Sequence, residues 1–125
     1  MSDFKILVVD DSPTIVAMLT QILKSNGYDV RSAGDGEEAL DVVEEFTPDL
    51  IFLDYQMPNM NGLETCRELK KDPELQDVPV VILTGEASPQ MKMHFLEVGV
   101  DDYLNKPVNP KELLQAVKEI IRLRS

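Results

Sequence analysis

Asp10 and Asp11 follow the apolar run Ile6-Leu7-Val8-Val9, and Asp54 follows Leu50-Ile51-Phe52-Leu53. Thr84 closes Val80-Val81-Ile82-Leu83 in the same way, and Lys106 comes shortly after Tyr103-Leu104. If these runs are parallel strands, their carboxyl ends share one edge of a sheet, where open α/β sheets hold ligands. Three carboxylates, a hydroxyl and an amine would then meet in one pocket. Carboxylates about 4 Å apart repel by roughly 4 kcal/mol at an effective dielectric of about 20. Crowding them makes sense if a divalent cation neutralises them or one of them stays protonated. Magnesium takes one or two carboxylates and completes its shell with waters and phosphate oxygens. Asp10, Asp11 and Asp54 suit that pattern, and the absence of His or Cys among them argues against zinc. A carboxylate left with one free oxygen can attack phosphorus and become an acyl phosphate. The metal on one side and Lys106 on the other would clamp the transferred group, with Thr84 donating to a phosphoryl oxygen. An Asp after a strand is also ordinary turn chemistry. It is the coincidence of all five positions that carries the functional reading.

Ten alternating elements would position these groups. Helix starts are signed by Ser12-Pro13 and Ser88-Pro89, each a capping hydroxyl before a proline at the first helical position. Asp35 with Glu38, Asn61 with Glu64 and Asn109 with Glu112 read as capping boxes. Gly27 and Gly99 stand where a left-handed residue would end a helix, and Pro48 and Pro73 follow the ends of two others. Ile15, Leu19, Ile22 and Leu23 form one helical stripe, and Leu113, Val117, Ile120 and Ile121 another. Strands alternating with helices predict a parallel sheet covered on both faces. Continuous apolar runs mark the first, third and fourth strands as central, whereas Asp29-Val30-Arg31-Ser32-Ala33 is mixed and the fifth run is brief. Edges at the second and fifth strands, joined by right-handed crossovers, give the order 2-1-3-4-5. The pocket would then lie at the switch point between the first and third strands.

The chain of 125 residues is read as one domain, residues 1–125, with an ordinary globular composition of 43% hydrophobic and 28% charged residues. Its net charge of −11 repels phosphate backbones, so direct nucleic-acid binding is not expected. Cys66, the single cysteine, allows no internal disulfide and falls on the apolar side of a helix as an inert buried thiol. With no signal-like start and no apolar run near about 18 residues, a cytoplasmic location without membrane contact is expected.

The residues that carry the chemistry also carry a resemblance. Asp10-Asp11, Asp54-Tyr55-Gln56-Met57-Pro58-Asn59-Met60-Asn61-Gly62, Thr84-Gly85 and Gly99-Val100-Asp101-Asp102-Tyr103-Leu104-Asn105-Lys106-Pro107 resemble the receiver domains of two-component response regulators across essentially the whole chain. The resemblance implies a flavodoxin-like (βα)5 three-layer sandwich, for which the strand order argued above is already known. It implies that Asp54 is the phosphoacceptor and that Asp11 binds Mg²⁺ directly, Asp10 mainly through water, and the Gln56 backbone carbonyl as a further ligand. Lys106 and Thr84 would contact the phosphoryl group, beside which Gly85 leaves room, and Tyr103 would be the aromatic switch. The Lys106-Pro107 bond would be cis, and Gln56 and Glu86 would tune phosphoryl lifetime. A sensor histidine kinase or a histidine phosphotransfer protein is the implied donor. The implied reader is a downstream protein target or effector domain, acting on the face made by the fourth helix, fifth strand and fifth helix. The chain would be no enzyme beyond catalysing its own phosphorylation and dephosphorylation. A stand-alone regulator is expected, with a longer multidomain parent as the alternative.

Other readings compete. Gly34-Asp35-Gly36-Glu37-Glu38-Ala39 matches G-x-G-x-x-A, but it follows the second strand, and its acids oppose a pyrophosphate; helix capping explains them. A haloacid-dehalogenase-like phosphatase needs an Asp where Ser12 stands, and no P-loop motif occurs. A metal-dependent phosphatase and a purely structural pseudo-receiver remain as alternative functions. His94 reads as a solvated helix residue, Met91 and Met93 as core packing, and Tyr28 and Tyr55 as amphipathic residues without a special role.

Overall fold

A strand apolar at every position needs cover on both faces, and Ile6 through Val9, Leu50 through Leu53 and Val80 through Leu83 are all essentially inaccessible to solvent. The computed structural model describes residues 4–85 and 88–124. Strands β1 (Lys5–Val9), β2 (Asp29–Ala33), β3 (Leu50–Asp54), β4 (Val80–Thr84) and β5 (Asp102–Asn105) alternate with helices. These are α1 (Pro13–Ser25), α2 (Gly36–Glu45), α3 (Gly62–Leu69), α4 (Pro89–Val98) and α5 (Pro110–Arg124). All strand pairings are parallel and the order is β2-β1-β3-β4-β5, the three-layer α/β flavodoxin-like arrangement. The two strands expected at the edges are there.

Because strand side chains alternate, the sheet divides the interior in two. Leu7, Val9, Ile51, Leu53, Val80 and Ile82 face α2, α3 and α4 through Ala39, Cys66, Leu69 and Phe95. Ile6, Val8, Leu50, Phe52, Val81 and Leu83 face α1 and α5 through Leu19, Leu23, Leu113 and Val117. Each such side chain contributes about 1.5–3 kcal/mol by leaving water.

The helix starts follow the sequence signals, with one change of partner. Ser12, Asp35, Asn61 and Ser88 cap α1 to α4, accepting from Ile15 N, Glu38 N, Glu64 N and Met91 N. The Asn61–Glu64 box is reciprocal, at 2.9 and 3.1 Å. Glu38 instead accepts from Gly34 N at 3.0 Å, one residue earlier than its expected partner Asp35. Asn109 Oδ1 accepts from Lys111 N at 2.8 Å at the start of α5. Gly99 ends α4 at φ 95°, and Gly27 at φ 90° comes one residue after the α1 cap Asn26. Met93 departs from expectation: it is 62% exposed, while Met91 does pack on the core.

The connection from α3 to β4 has no stripe or run to announce it. It is held by Lys70 Nζ, which donates to the carbonyls of Gln76 and Val78, and by the buried Leu75 and Val78. Among the described residues no helix is long and apolar enough to cross a membrane.

Candidate functional site

The register that pairs Val9 with Leu53 sends Asp10 and Asp54 out of neighbouring strands at the same level. Asp10 is 1% exposed, and its Oδ1 accepts from Ser12 N at 2.9 Å, tying it to the start of α1. Asp54 is 3% exposed at the end of β3, and Asp11 stands exposed beside both. One carboxylate oxygen from each of Asp10, Asp11 and Asp54 lies within 4.8 Å of the others. Lys106 Nζ reaches across the sheet edge to Asp54 Oδ1 at 2.9 Å and to Asp10 Oδ2 at 3.0 Å. Its backbone N donates to Thr84 O at 2.8 Å, and the Lys106-Pro107 bond is cis.

Burial pushes the Asp54 carboxyl up from its ordinary 3.8 to about 6, with Lys106 opposing the rise and the charges of Asp10 and Asp11 adding to it. Burial disfavours the Lys106 charge, but bonds to Asp54 and Asp10 outweigh it, and the amine is held above its ordinary value. The amine is therefore a fixed positive charge for any group entering the site. It does not neutralise the cluster: one cation faces three acids.

The surplus acid suits a hard cation. Asp10 Oδ2 is buried, and the Lys106 ammonium at 3.0 Å is all that faces it among the described side chains. A buried carboxylate oxygen in that condition is costly unless something positive completes its surroundings. The donor set is oxygen only, which fits magnesium and not zinc.

Above the acids opens a pocket of about 680 Å³ lined by Asp11, Asp54, Gln56, Asn61, Thr84 and Lys106, among others. Gly85 also borders it, and a Cβ there would meet nothing within 4 Å. Gly62 is different: a Cβ would come within 2.6 Å of Asp54 O and 2.9 Å of Tyr55 Cα. Only glycine lets α3 begin this close to the acid-bearing strand, where Gly62 N donates to Tyr55 O at 2.7 Å.

The structure thus brings together Asp10, Asp11, Asp54 and Lys106, and sets Thr84 and Gln56 in the same pocket. Tyr103 lies apart from that lining, half-buried on β5. Glu86 lies outside the described residues. Asn61 lines the pocket as well as capping α3, a double duty its capping signal concealed. Tyr55, read as having no special role, borders the pocket and packs its ring on Phe95. The G-x-G-x-x-A segment is occupied by its own acids, since Glu38 and Asp35 take the Gly34 and Glu38 amides, and Gly36 is buried against Thr65 of α3. His94 is exposed on α4, and Cys66 is fully buried, its thiol pushed up to about 11 by that burial.

Known proteins share this arrangement. A family model for the response regulator receiver domain matches residues 6–118. The DNA-binding response regulator MtrA of Mycolicibacterium smegmatis is 44% identical over 118 residues, covering 94% of this chain and 50% of that protein. The alkaline phosphatase synthesis transcriptional regulatory protein PhoP of Bacillus subtilis is also 44% identical over 118 residues, 94% of this chain and 48% of its own length. The chain thus spans about half the length of these curated relatives. Among solved structures, the chemotaxis protein CheY4 of Vibrio cholerae matches with a TM-score of 0.93 and 35% identity, over 95% of this chain and 99% of that one. With a family match over nearly its whole length, the chain belongs to the response regulator receiver domains, the phosphoacceptor switches of two-component signalling.

Proposed function

We propose that residues 1–125 form a receiver that takes a phosphoryl group onto Asp54 and passes the change to the face formed by α4, β5 and α5. The observation that carries this is the triangle at the sheet edge, with Lys106 Nζ 2.9 Å from Asp54 Oδ1 and the Asp10 and Asp11 carboxylates beside it. With Oδ1 held by Lys106, Oδ2 of Asp54 attacks phosphorus, and the P–O bond forms as the P–N bond of a phosphohistidine breaks. The electron pair of that bond leaves with the imidazole. Lys106 and the Thr84 hydroxyl bind the phosphoryl oxygens. Asp10, Asp11, Asp54 and the Gln56 carbonyl would hold Mg²⁺, which when bound would supply positive charge against the acids and the incoming phosphoryl group. Hydrolysis of the acyl phosphate returns the carboxylate, so the chain acts only on itself and is not an enzyme of turnover.

The donor is a sensor histidine kinase or histidine phosphotransfer protein. The reader is a downstream protein or, as in the DNA-binding relatives, an effector domain outside this receiver; this acidic chain itself does not touch nucleic acid. The setting is cytoplasmic. Added charge at Asp54 draws Thr84 inward, Tyr103 follows, and the two conformations exchange populations.

The test is incubation with acetyl phosphate and Mg²⁺. Wild type gains one phosphoryl mass, Asp54→Asn gains none, and chelation abolishes the gain. Undiminished labelling of Asp54→Asn would refute the assignment. Continuous release of phosphate from a simple phosphoester would show a phosphatase instead.

A further inference from the structure

Phe95 is the buried residue of α4, 3% exposed, and its ring contacts two tyrosines. Tyr55, next in the chain after Asp54, meets it edge-on with centroids 6.1 Å apart at 64°. Tyr103 of β5 also meets it, tilted, at 6.2 Å and 49°. Little else fastens the helix: Met91 and Val98 are partly buried, while Met93 and Leu96 are 62% and 76% exposed. The three rings therefore form a packed chain from the residue after the acceptor to the fifth strand.

Each end of that chain is built to transmit. The Tyr55 backbone is fixed, its N donating to Leu83 O at 2.9 Å and its O accepting from Gly62 N at 2.7 Å. A change in the pocket that Tyr55 borders must then be taken up by its ring. At the far end, Lys92 Nζ lies 5.1 Å from the Tyr103 ring centre. A groove of about 180 Å³ lined by Lys92, Phe95, Leu96 and Tyr103 opens alongside, so this ring has somewhere to go. Close-packed side chains shift between discrete arrangements and do not deform smoothly. The edge-on Tyr55–Phe95 pair adds directionality, because the positive edge of one ring faces the negative face of the other, and the tilted Phe95–Tyr103 pair continues the contact.

We propose that Phe95 is a positioning residue that carries the state of the pocket from Tyr55 to Tyr103 and α4, alongside the displacement of Thr84. This rests on the reading of Asp54 as acceptor. An aliphatic side chain of similar volume would fill the space but present no ring edge, and would loosen the connection without opening the core.

The chain has three tyrosines, at positions 28, 55 and 103, so incorporation of 3-fluorotyrosine gives three fluorine signals that single Tyr→Phe variants assign. Beryllium fluoride with Mg²⁺ serves as the phosphoryl probe, and acetyl phosphate labelling follows the chemistry. In wild type the Tyr55 and Tyr103 signals move and Tyr28 stays. In Phe95→Leu the Tyr55 shift and the labelling rate are kept within about twofold, while the Tyr103 shift falls by more than half. Phe95→Tyr restores it, and Tyr55→Leu, approached from the other end, also halves the Tyr103 shift. A full Tyr103 shift in either leucine variant overturns the proposal. So does a Phe95→Leu protein that loses the Tyr55 shift as well, or a Phe95→Tyr protein that fails to restore the response. Wild type that neither labels nor shifts overturns the acceptor reading, and this proposal with it; a labelled wild type with an unaffected Phe95→Leu overturns this proposal alone.

Discussion

Asp54 is held in a condition that its strand would not choose. Its carboxyl sits at about 6 where an unfolded chain leaves it near 3.8, chiefly because it is buried. The folded state thus binds this proton more tightly than the unfolded state does. For this group alone, stability is greatest below about pH 3.8 and declines as pH rises through about 6. Above that, the ionised acid is a standing cost of order 1–3 kcal/mol in metal-free protein. Asp54→Asn removes the cost. In chelator, thermal unfolding near about pH 7.5 should show the variant more stable than wild type, with the advantage shrinking towards about pH 4. A variant equally stable or less stable at the higher pH would show that Lys106 already cancels the penalty. At this scale the sequence was generous: Asp10, Asp11, Asp54, Thr84 and Lys106 were visible because each follows an apolar run. Phe95 and Tyr55 were not, because a ring among apolar neighbours reads as core whether or not it connects anything.

The elements explain why the acids meet at all. Pairing Val9 with Leu53 is a one-step choice of register; a slip by one residue would turn every side chain of β3 to the wrong face. Strand order was legible because only β1, β3 and β4 carry an unbroken run of four apolar residues, and helix starts because Ser, Asp and Asn take orphan amides in a local, sequence-readable way. The Lys70 link between α3 and β4 was not, since it joins a side chain to distant carbonyls without periodicity. Nor was the reason for Gly62, which is a close approach of α3 to Asp54 and Tyr55. Gly62→Ala should push the start of α3 away from β3, costing about 1–3 kcal/mol in denaturant unfolding. Phosphorylation should slow with it. An alanine variant as stable as wild type would mean that the helix can slide outward freely.

For the whole molecule, a net charge of −11 is a self-repulsion that compactness must withstand, and three of its acids crowd together in the pocket. A cation that binds only the folded form stabilises it by about 2.7 kcal/mol when present at about a hundred times its dissociation constant. Mg²⁺ should therefore raise the melting temperature more than NaCl at equal ionic strength. Asp11→Asn should remove most of that excess while leaving the salt response intact. Equal effects of the two salts would mean general screening and no site.

The backbone bond from Lys106 N to Thr84 O has a consequence of its own. Two side chains whose main chains are already tied behave like the arms of a chelator. A guest grasped by both closes a short ring, which costs far less chain entropy than drawing two loose loops together. Filling the pocket would then tighten the seam between β4 and β5 before it moved anything else, so the last rung of that ladder is where occupancy should first be felt.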